Sequence, residues 1–522
     1  MEPQIRTLVD ISGTDATMRG RADMVLERAR WASTVFQRYD RDATLAIVDA
    51  VANAAHEHAE ELGEWAVRET GFGVAAHKKI KNEMTARPLV DYFRDQDYVN
   101  PRIDEDRRIV EIPRPAGVIF ALTPSTNPVA TLNFKIIIAL LTRNAIVISP
   151  HPAARECSVA AATRLAEAAV AAGAPDGVVQ ILETPSIPMV EAFMASPKTN
   201  LILATGGTAM VRAAYSSSNP AIGVGPGNAP VFVDSSADIT KTAARILESK
   251  SFDNSILCTN ESVLITLPEI EQRLCQALKA VGAHICDEED VERLRRFLFH
   301  EGGFNLECLG RDATWIAQEC GVRVGSSTRI LVAPITQIGV EERLSREKLC
   351  PVLALHVAKS RSQAIAQARA VLRLTGAGHT AAIHCTDEQV TMAYANAVEA
   401  YRVVVNAPCT QGAAGIGTNL APTFTIGTGY FGRSSIGENV GPQHLVHWTR
   451  VAYNSDSAEA FGNFRGVAPS FAGPLPEAPA DGVPGSTMPR HMAAPSGPPV
   501  EGATRDELRR LIAEELRDLL KK

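Results

Sequence analysis

The sequence has no excess of positive charge. Its 52 lysines and arginines are outnumbered by 59 aspartates and glutamates, giving a net charge of -7 and a pI near 6.0. Nucleic-acid binding draws on a basic surface, so that class of partner is set aside. Long apolar runs are also lacking. Met1 to Asp10 shows no apolar stretch after a basic start, so no secretory leader is expected there. The most apolar short stretch, Phe134 to Leu141, contains Lys135 and is far too short to span a bilayer, so no membrane partner is expected. The 9 cysteines form no CxxC pair and no metal-ligand spacing. An odd, scattered set reads as reduced thiols in the cytoplasm, with no metal site.

Within 522 residues, 45% hydrophobic and 21% charged, there is material for two or three packed domains. Residues 21 to 70 read as helices, with Ile47, Val48, Val51 and Ala54 at helical spacing and no proline. From 115 to 235, short β-branched runs alternate with alanine-rich helical stretches such as Cys157 to Ala172. Strands are expected at Ala116 to Phe120, Ala145 to Ser149, Gly177 to Leu182 and Asn200 to Ala204. A second alternating stretch runs from about Ile239 to Val405, so the fold class is α/β with two domains built on parallel sheets. Ala468 to Pro499 is rich in proline, glycine, alanine and serine, which places a disordered, extended linker over about 468–503. Thr504 to Lys522 then reads as an amphipathic helix. Thr504 and Glu507 form a capping box, and Leu508, Leu511, Ile512, Leu516, Leu519 and Leu520 share one face. Such a short helix is marginal alone in water and needs a surface to cover its leucines. Its basic and acidic residues nearly cancel, which favours a protein groove over a membrane surface.

One cysteine stands apart from the others. Cys157, Cys275, Cys286, Cys308, Cys320, Cys385 and Cys409 read as small buried hydrophobes, and Cys350 as packing. Cys258 lies in Ser251-Phe252-Asp253-Asn254-Ser255-Ile256-Leu257-Cys258, and Phe252, Asn254 and Cys258 resemble the catalytic-cysteine segment of the aldehyde dehydrogenase superfamily. Thr123-Pro124-Ser125-Thr126-Asn127-Pro128 resembles the segment with that superfamily's catalytic asparagine, in the form found in its CoA-acylating branch. Ala204 to Thr208 resembles the cofactor turn, and Glu347 to Leu353 the ribose-binding segment. Ile148-Ser149-Pro150-His151-Pro152, Ile222 to Pro230 and Gly378-His379-Thr380 also resemble the acylating branch. These segments keep their order from about residue 20 to 455. The pattern resembles the aldehyde dehydrogenase half of bifunctional aldehyde-alcohol dehydrogenases, and the acylating enzymes associated with microcompartments.

The resemblance implies an aldehyde dehydrogenase-like fold. A cofactor domain is expected over 1–235 with a return segment at about 411–440, and a catalytic domain over 236–410. Strands at 107–113 and 445–453 form an oligomerisation arm of a dimer or tetramer. It further implies that Cys258 attacks the carbonyl of a short aliphatic aldehyde, consistent with cysteine being the most nucleophilic side chain near neutral pH. The Asn127 amide and the Cys258 N–H then bind the oxyanion. Hydride leaves for NAD, or NADP, and a thioester remains on Cys258. Thr123, Ser149, His151, Pro152, Gly206, Gly207, Thr208, Gly225 and Glu347 are the expected cofactor-binding residues. His379 is either close to the thioester or a hydrogen-bonded core histidine.

No carboxylate occurs between Pro220 and Val233, where hydrolytic relatives carry the glutamate that activates water. Coenzyme A is therefore the expected acyl acceptor, and the reverse reaction is available. A hydrolytic dehydrogenase releasing a free acid is the first alternative. A non-catalytic scaffold acting through its 504–522 helix is the second. That helix resembles the encapsulation peptides that dock enzymes to bacterial microcompartment shell proteins, which would place the chain inside such a compartment.

Overall fold

A computed structural model describes residues 15–300, 303–467, 474 and 477–479. The expected helix at 504–522 lies outside the described residues, as does the expected linker apart from 474 and 477–479.

The expected strands assemble into a five-stranded parallel sheet in the spatial order Val179–Ile181, Ala145–Ser149, Val118–Leu122, Leu201–Thr205, Ala221–Val224. In chain order this is 3-2-1-4-5, so the sequence of strands reverses between Val118–Leu122 and Leu201–Thr205. Ligands of open α/β sheets bind beyond the carboxyl ends of strands at such a reversal. The expected segment 116–120 is shifted by two residues because Gly117 has a φ of +115° and Val118 begins the ladder. Helices Asp15–Phe36, Arg41–Glu57, Pro128–Leu141 and Arg155–Ala171 contribute to this sheet's core through Leu26, Val48, Ile137 and Leu165.

Pro128–Leu141 is buried along its whole length, which explains why its sequence carries no amphipathic pattern. Lys135 is part of that burial. Its Nζ donates to the Leu122 carbonyl at 2.6 Å and the Leu203 carbonyl at 2.8 Å, tying together the two strands that flank the reversal. Burial pushes its pKa well below the usual lysine range.

The second sheet has seven parallel strands in the order Ala283–Ile285, Ile330–Pro334, Val352–Val357, Glu261–Thr266, Ala229–Val233, Ala381–His384, Val403–Val405. Ala229–Val233 thus belongs to the second sheet, although the expected boundary at 235 assigned it to the first domain. Both faces of that strand are buried, so its unbroken apolar run could not show which sheet it joins. The chain therefore crosses between the sheets at Gly225 to Asn228. It returns later: Ala421, Phe424, Ile436, Val440 and Leu445 pack with the core of the five-stranded sheet.

A separate antiparallel sheet joins Arg102–Asp104, Ile109–Pro115 and Val446–Ala452. The Arg102 guanidinium lies 3.7 Å from the centre of the Trp448 ring. The last strand is mostly exposed, with Val451 37% and the adjoining Tyr453 38% exposed. No helix among the described residues is long and apolar enough to cross a membrane.

Candidate active site

Cys258 follows a tight turn that few sequences would adopt unaided. Asp253, Asn254 and Ser255 have φ of +48°, +51° and +62°, in the left-handed region that disfavours side chains. Local bonds hold them there. Asp253 Oδ1 accepts the Val74 N–H at 2.6 Å, and the Asp253 N–H donates to His77 Nδ1 at 2.8 Å. Asn254 Nδ2 donates to the Gly310 carbonyl at 2.9 Å, and Ser255 Oγ to Asn260 Oδ1 at 3.0 Å. Beneath the turn, Phe252, Ile256, Leu257 and Leu309 form a small apolar cluster of their own, and the His77 ring stacks on Phe252 at 4.7 Å. The turn delivers Cys258, half-buried, against the interdomain crossing.

Gly227 is the contact point. A Cβ at this position would sit 1.9 Å from the Cys258 carbonyl oxygen, so only glycine fits. The Gly227 N–H donates to Glu347 Oε1 at 3.2 Å, bringing the expected ribose-binding carboxylate beside the cysteine. Glu347 is held there by its neighbour. Lys348, fully buried, donates to the carbonyls of Ser262 at 3.1 Å, Leu344 at 2.5 Å and Arg346 at 2.7 Å. At Gly225 a Cβ would meet nothing within 4 Å, leaving open space. Asn228 offers no such room: fully buried, it donates to the Ser345 carbonyl at 3.1 Å and the Val371 carbonyl at 2.9 Å.

The electrostatics oppose a resting thiolate. Burial first, and the Glu347 carboxylate second, push the Cys258 pKa up to about 12, while its own backbone N–H and Arg402 pull the other way. Burial likewise raises Glu347 to about 8. Arg402 is buried and has no carboxylate partner among the described residues; it donates to the His379 carbonyl at 2.6 Å and to the carbonyls of Gly427 and Gly437. It thereby ties the Gly378-His379-Thr380 turn to the returning segment. Gly378 has a φ of +80°, and a Cβ there would lie 1.7 Å from the Thr428 carbonyl oxygen. Of the two readings for His379, the core one describes its surroundings: it is fully buried, with Nδ1 3.0 Å from Thr380 Oγ1. Its Nε2 has no hydrogen-bond partner among the described residues, and burial lowers its pKa to about 3, so the ring is neutral.

These values carry a pH prediction. The Cys258 thiolate fraction should grow about tenfold per pH unit below its pKa, and alkylation by iodoacetamide should follow. Above pH 8 the ionised Glu347 restrains that rise. Glu347→Gln removes the restraint, so alkylation at pH 9.5 is expected to be about tenfold faster than in the unsubstituted protein, as for a shift of one pKa unit, and equal at pH 7. Equal rates at both pH values would mean that Glu347 exerts no charge on the cysteine.

Asn127 stands at the entrance of helix Pro128–Leu141 without capping it. Its Nδ2 reaches only Thr126 Oγ1, at 3.2 Å, and its Oδ1 accepts from Lys81 Nζ.

Thr123, Ser149, Gly206 and Gly207 lie at or just beyond the carboxyl ends of strands of the first sheet and Thr208 opens the next helix, whereas Gly225 and Glu347 lie at the interdomain crossing. Gly206 and Gly207 follow strand Leu201–Thr205 and open helix Thr208–Ser216, with only the Met210 side chain, 3.9 Å away, near a Cβ built on Gly206. A helix N-terminus behind an uncovered glycine turn suits a pyrophosphate. Thr123 continues strand Val118–Leu122; its N–H donates to the Ser149 carbonyl at 3.2 Å, and its buried Oγ1 has no partner among the described residues. An orphaned hydroxyl at this point fits a polar ligand. His151 and Pro152 begin a short 3-10 turn, and His151 Nδ1 accepts the Ala153 N–H at 3.1 Å. Burial lowers His151 to about 4, so it is a neutral turn acceptor.

Sequence reasoning missed Lys78, Lys81, Lys250, Lys348 and Arg402, all buried, and the anchoring role of Asp253. Cations in a polar-looking segment read as solvated, and nothing local marks the exceptions. The fold also gathers His284, Cys286 and Asp290, whose ligand atoms lie within 4.8 Å of one another, although no metal spacing was expected. His284 Nε2 and Asp290 Oδ2, 3.3 Å apart, already satisfy each other.

Cys258 thus lies beside the crossing between two parallel α/β sheets, the first of which has the strand reversal at which open α/β sheets bind ligands. The aldehyde dehydrogenase family profile matches residues 8–289, and the chain belongs to that family. It is similar to an aldehyde-alcohol dehydrogenase of Clostridium acetobutylicum, 36% identical over 436 residues, covering 82% of this chain and 50% of that protein. The chain thus spans about half the length of that relative. Among solved structures it resembles an acetylating aldehyde dehydrogenase from Geobacillus thermoglucosidasius, with TM-score 0.83, 38% identity and coverage of 86% and 98% of the two chains. It also resembles a propionaldehyde dehydrogenase from the fucose utilisation microcompartment of Clostridium phytofermentans, with TM-score 0.76, 30% identity and coverage of 83% and 97%. A propionaldehyde dehydrogenase of Rhodopseudomonas palustris solved with bound propionyl-CoA gives TM-score 0.76, 30% identity and coverage of 83% and 94%.

Proposed function

We propose that this chain oxidises a short-chain aldehyde to an acyl-CoA, reversibly, with NAD or NADP as hydride acceptor. The observation that carries the reading is the placement of Cys258 against Gly227, in a crossing segment with no side-chain base of its own. Once its proton has passed to solvent, Cys258 Sγ attacks the aldehyde carbon, and the new oxyanion takes hydrogen bonds from Asn127 Nδ2 and the Cys258 N–H. The nicotinamide cofactor, when bound at the strand ends near Thr123 and Gly206, supplies the hydride acceptor. The acyl group is then a thioester on Cys258, and a CoA thiolate displaces it. Glu347 is the carboxylate beside the cysteine, but its raised pKa leaves it mostly protonated at neutral pH, a poor state for activating water.

The microcompartment origin of one structural relative supports reading the 504–522 segment as a tether to a shell protein. The exposed strand Val446–Ala452 and its antiparallel neighbours provide an edge for a dimer or tetramer contact.

The test is NADH absorbance on mixing protein, NAD and propionaldehyde, with and without CoA. Sustained turnover only with CoA is the expected result. Sustained turnover without CoA would assign the hydrolytic reaction instead and make Glu347 the first suspect for the base.

A further inference from the structure

Helix Ala75–Met84 buries two lysines, Lys78 at 3% and Lys81 at 1% exposure, one turn apart on one face. Ammonium groups at that depth are costly unless paired and hydrogen-bonded. Their common partner is Asp253, itself fully buried in the turn before Cys258. Asp253 Oδ2 lies 3.1 Å from Lys78 Nζ and also accepts from Lys81 Nζ. From there the two lysines diverge. Lys78 donates to the Thr126 carbonyl at 3.1 Å, while Lys81 donates to the side-chain oxygen of Asn127.

That last contact decides which way Asn127 can work. An amide has one acceptor end and one donor end, and an ammonium has donors only. With Lys81 on one side, the oxygen must face the lysine, because turning the amide over would set its NH2 group against the NH3+ group. The donor end is then the one left for the other side, where its bond is the 3.2 Å contact to Thr126 Oγ1. A hydrogen bond from the lysine to the amide oxygen also polarises the group and makes its N–H a stronger donor.

We infer that Lys81 is a positioning residue: it clamps the Asn127 side-chain oxygen so that the amide N–H groups are presented to the carbonyl oxygen of an aldehyde attacked by Cys258, with Asp253 neutralising the clamp. The inference rests on the reading of Cys258 and Asn127 given above. Lys78 and the Val74 N–H hold Asp253 independently of Lys81. Loss of Lys81 therefore frees Asn127 but leaves the cysteine turn in place, which separates this role from a merely structural one.

The experiment is the pre-steady-state burst of NADH from protein, NAD and propionaldehyde without CoA. It reports thiohemiacetal formation and hydride transfer whichever acceptor later takes the acyl group. Lys81→Met is expected to slow the burst about 10- to 100-fold and Asn127→Ala about 100-fold, the range for loss of one oxyanion donor. The double variant should be no slower than Asn127→Ala alone, and alkylation of Cys258 by iodoacetamide in Lys81→Met should match the unsubstituted protein. A normal burst in Lys81→Met, effects that multiply in the double variant, or slowed alkylation would each overturn the role while leaving the reaction assignment standing. A normal burst in Asn127→Ala would overturn the site reading and the Lys81 role together. If Lys81→Met does not fold, Lys81→Gln, which keeps a donor without the charge, must show the same non-additivity with Asn127→Ala, and additive effects there overturn the role.

Discussion

Replacing Cys258 by alanine is expected to lower aldehyde-dependent NADH formation by about 10⁴-fold or more, as for removal of other covalent nucleophiles. Nothing else in the site can stand in. Cys350 is fully buried in the core of the seven-stranded sheet, where an aldehyde has no access to it. The substitution removes one sulfur from a half-buried position and leaves the bonds of Asp253, Asn254 and Ser255 untouched. The thermal unfolding midpoint should therefore stay within a few degrees of the unsubstituted protein, about 1 kcal/mol or less. Residual activity above a thousandth, in a preparation that melts normally, would move the nucleophile elsewhere.

Asp253→Ala is expected to be the most damaging single change to the fold around the site, costing about 3–5 kcal/mol by denaturant titration, the range for breaking a buried ion pair. It strips two buried ammonium groups of their shared carboxylate and removes the acceptor of the Val74 N–H. Burial holds Lys81 down to about 7 even with Asp253 raising it, so without that carboxylate its pKa should fall further, and the loss should shrink as pH rises towards 7. In the unsubstituted protein Lys81 and Lys78 hold the Asp253 pKa below the usual carboxylate range, against the opposing effect of its burial. A loss below about 1 kcal/mol at pH 7 would mean that Asp253 does not offset a buried charge there.

Much of the architecture was legible before any coordinates. The strand Ala145–Ser149 and the helix Arg155–Ala171 follow from β-branched runs and alanine-rich periodicity, which are local signals. The turn at Gly206 and Gly207 was legible for the same reason: glycine before a helix start is written in adjacent residues. The domain boundary was less so. Ala229–Val233 reads as a buried strand in either sheet, and its partners, Glu261–Thr266 and Ala381–His384, lie far along the chain.

By itself, the sequence determined the family, the α/β class and the singling out of Cys258, Asn127 and Glu347, because these rest on short segments whose residue types are set by backbone conformation and chemistry. Only the tertiary structure decided that Glu347 reaches the cysteine through Gly227, a contact between residues 120 apart, and that Lys81 joins Asp253 to Asn127, with Lys81 and Asp253 172 residues apart. A lysine on a short helix looks the same in sequence whether its ammonium meets water or a buried carboxylate. The difference comes from which distant backbone closes over it, and the cost of burying that charge is what makes the resulting contact specific.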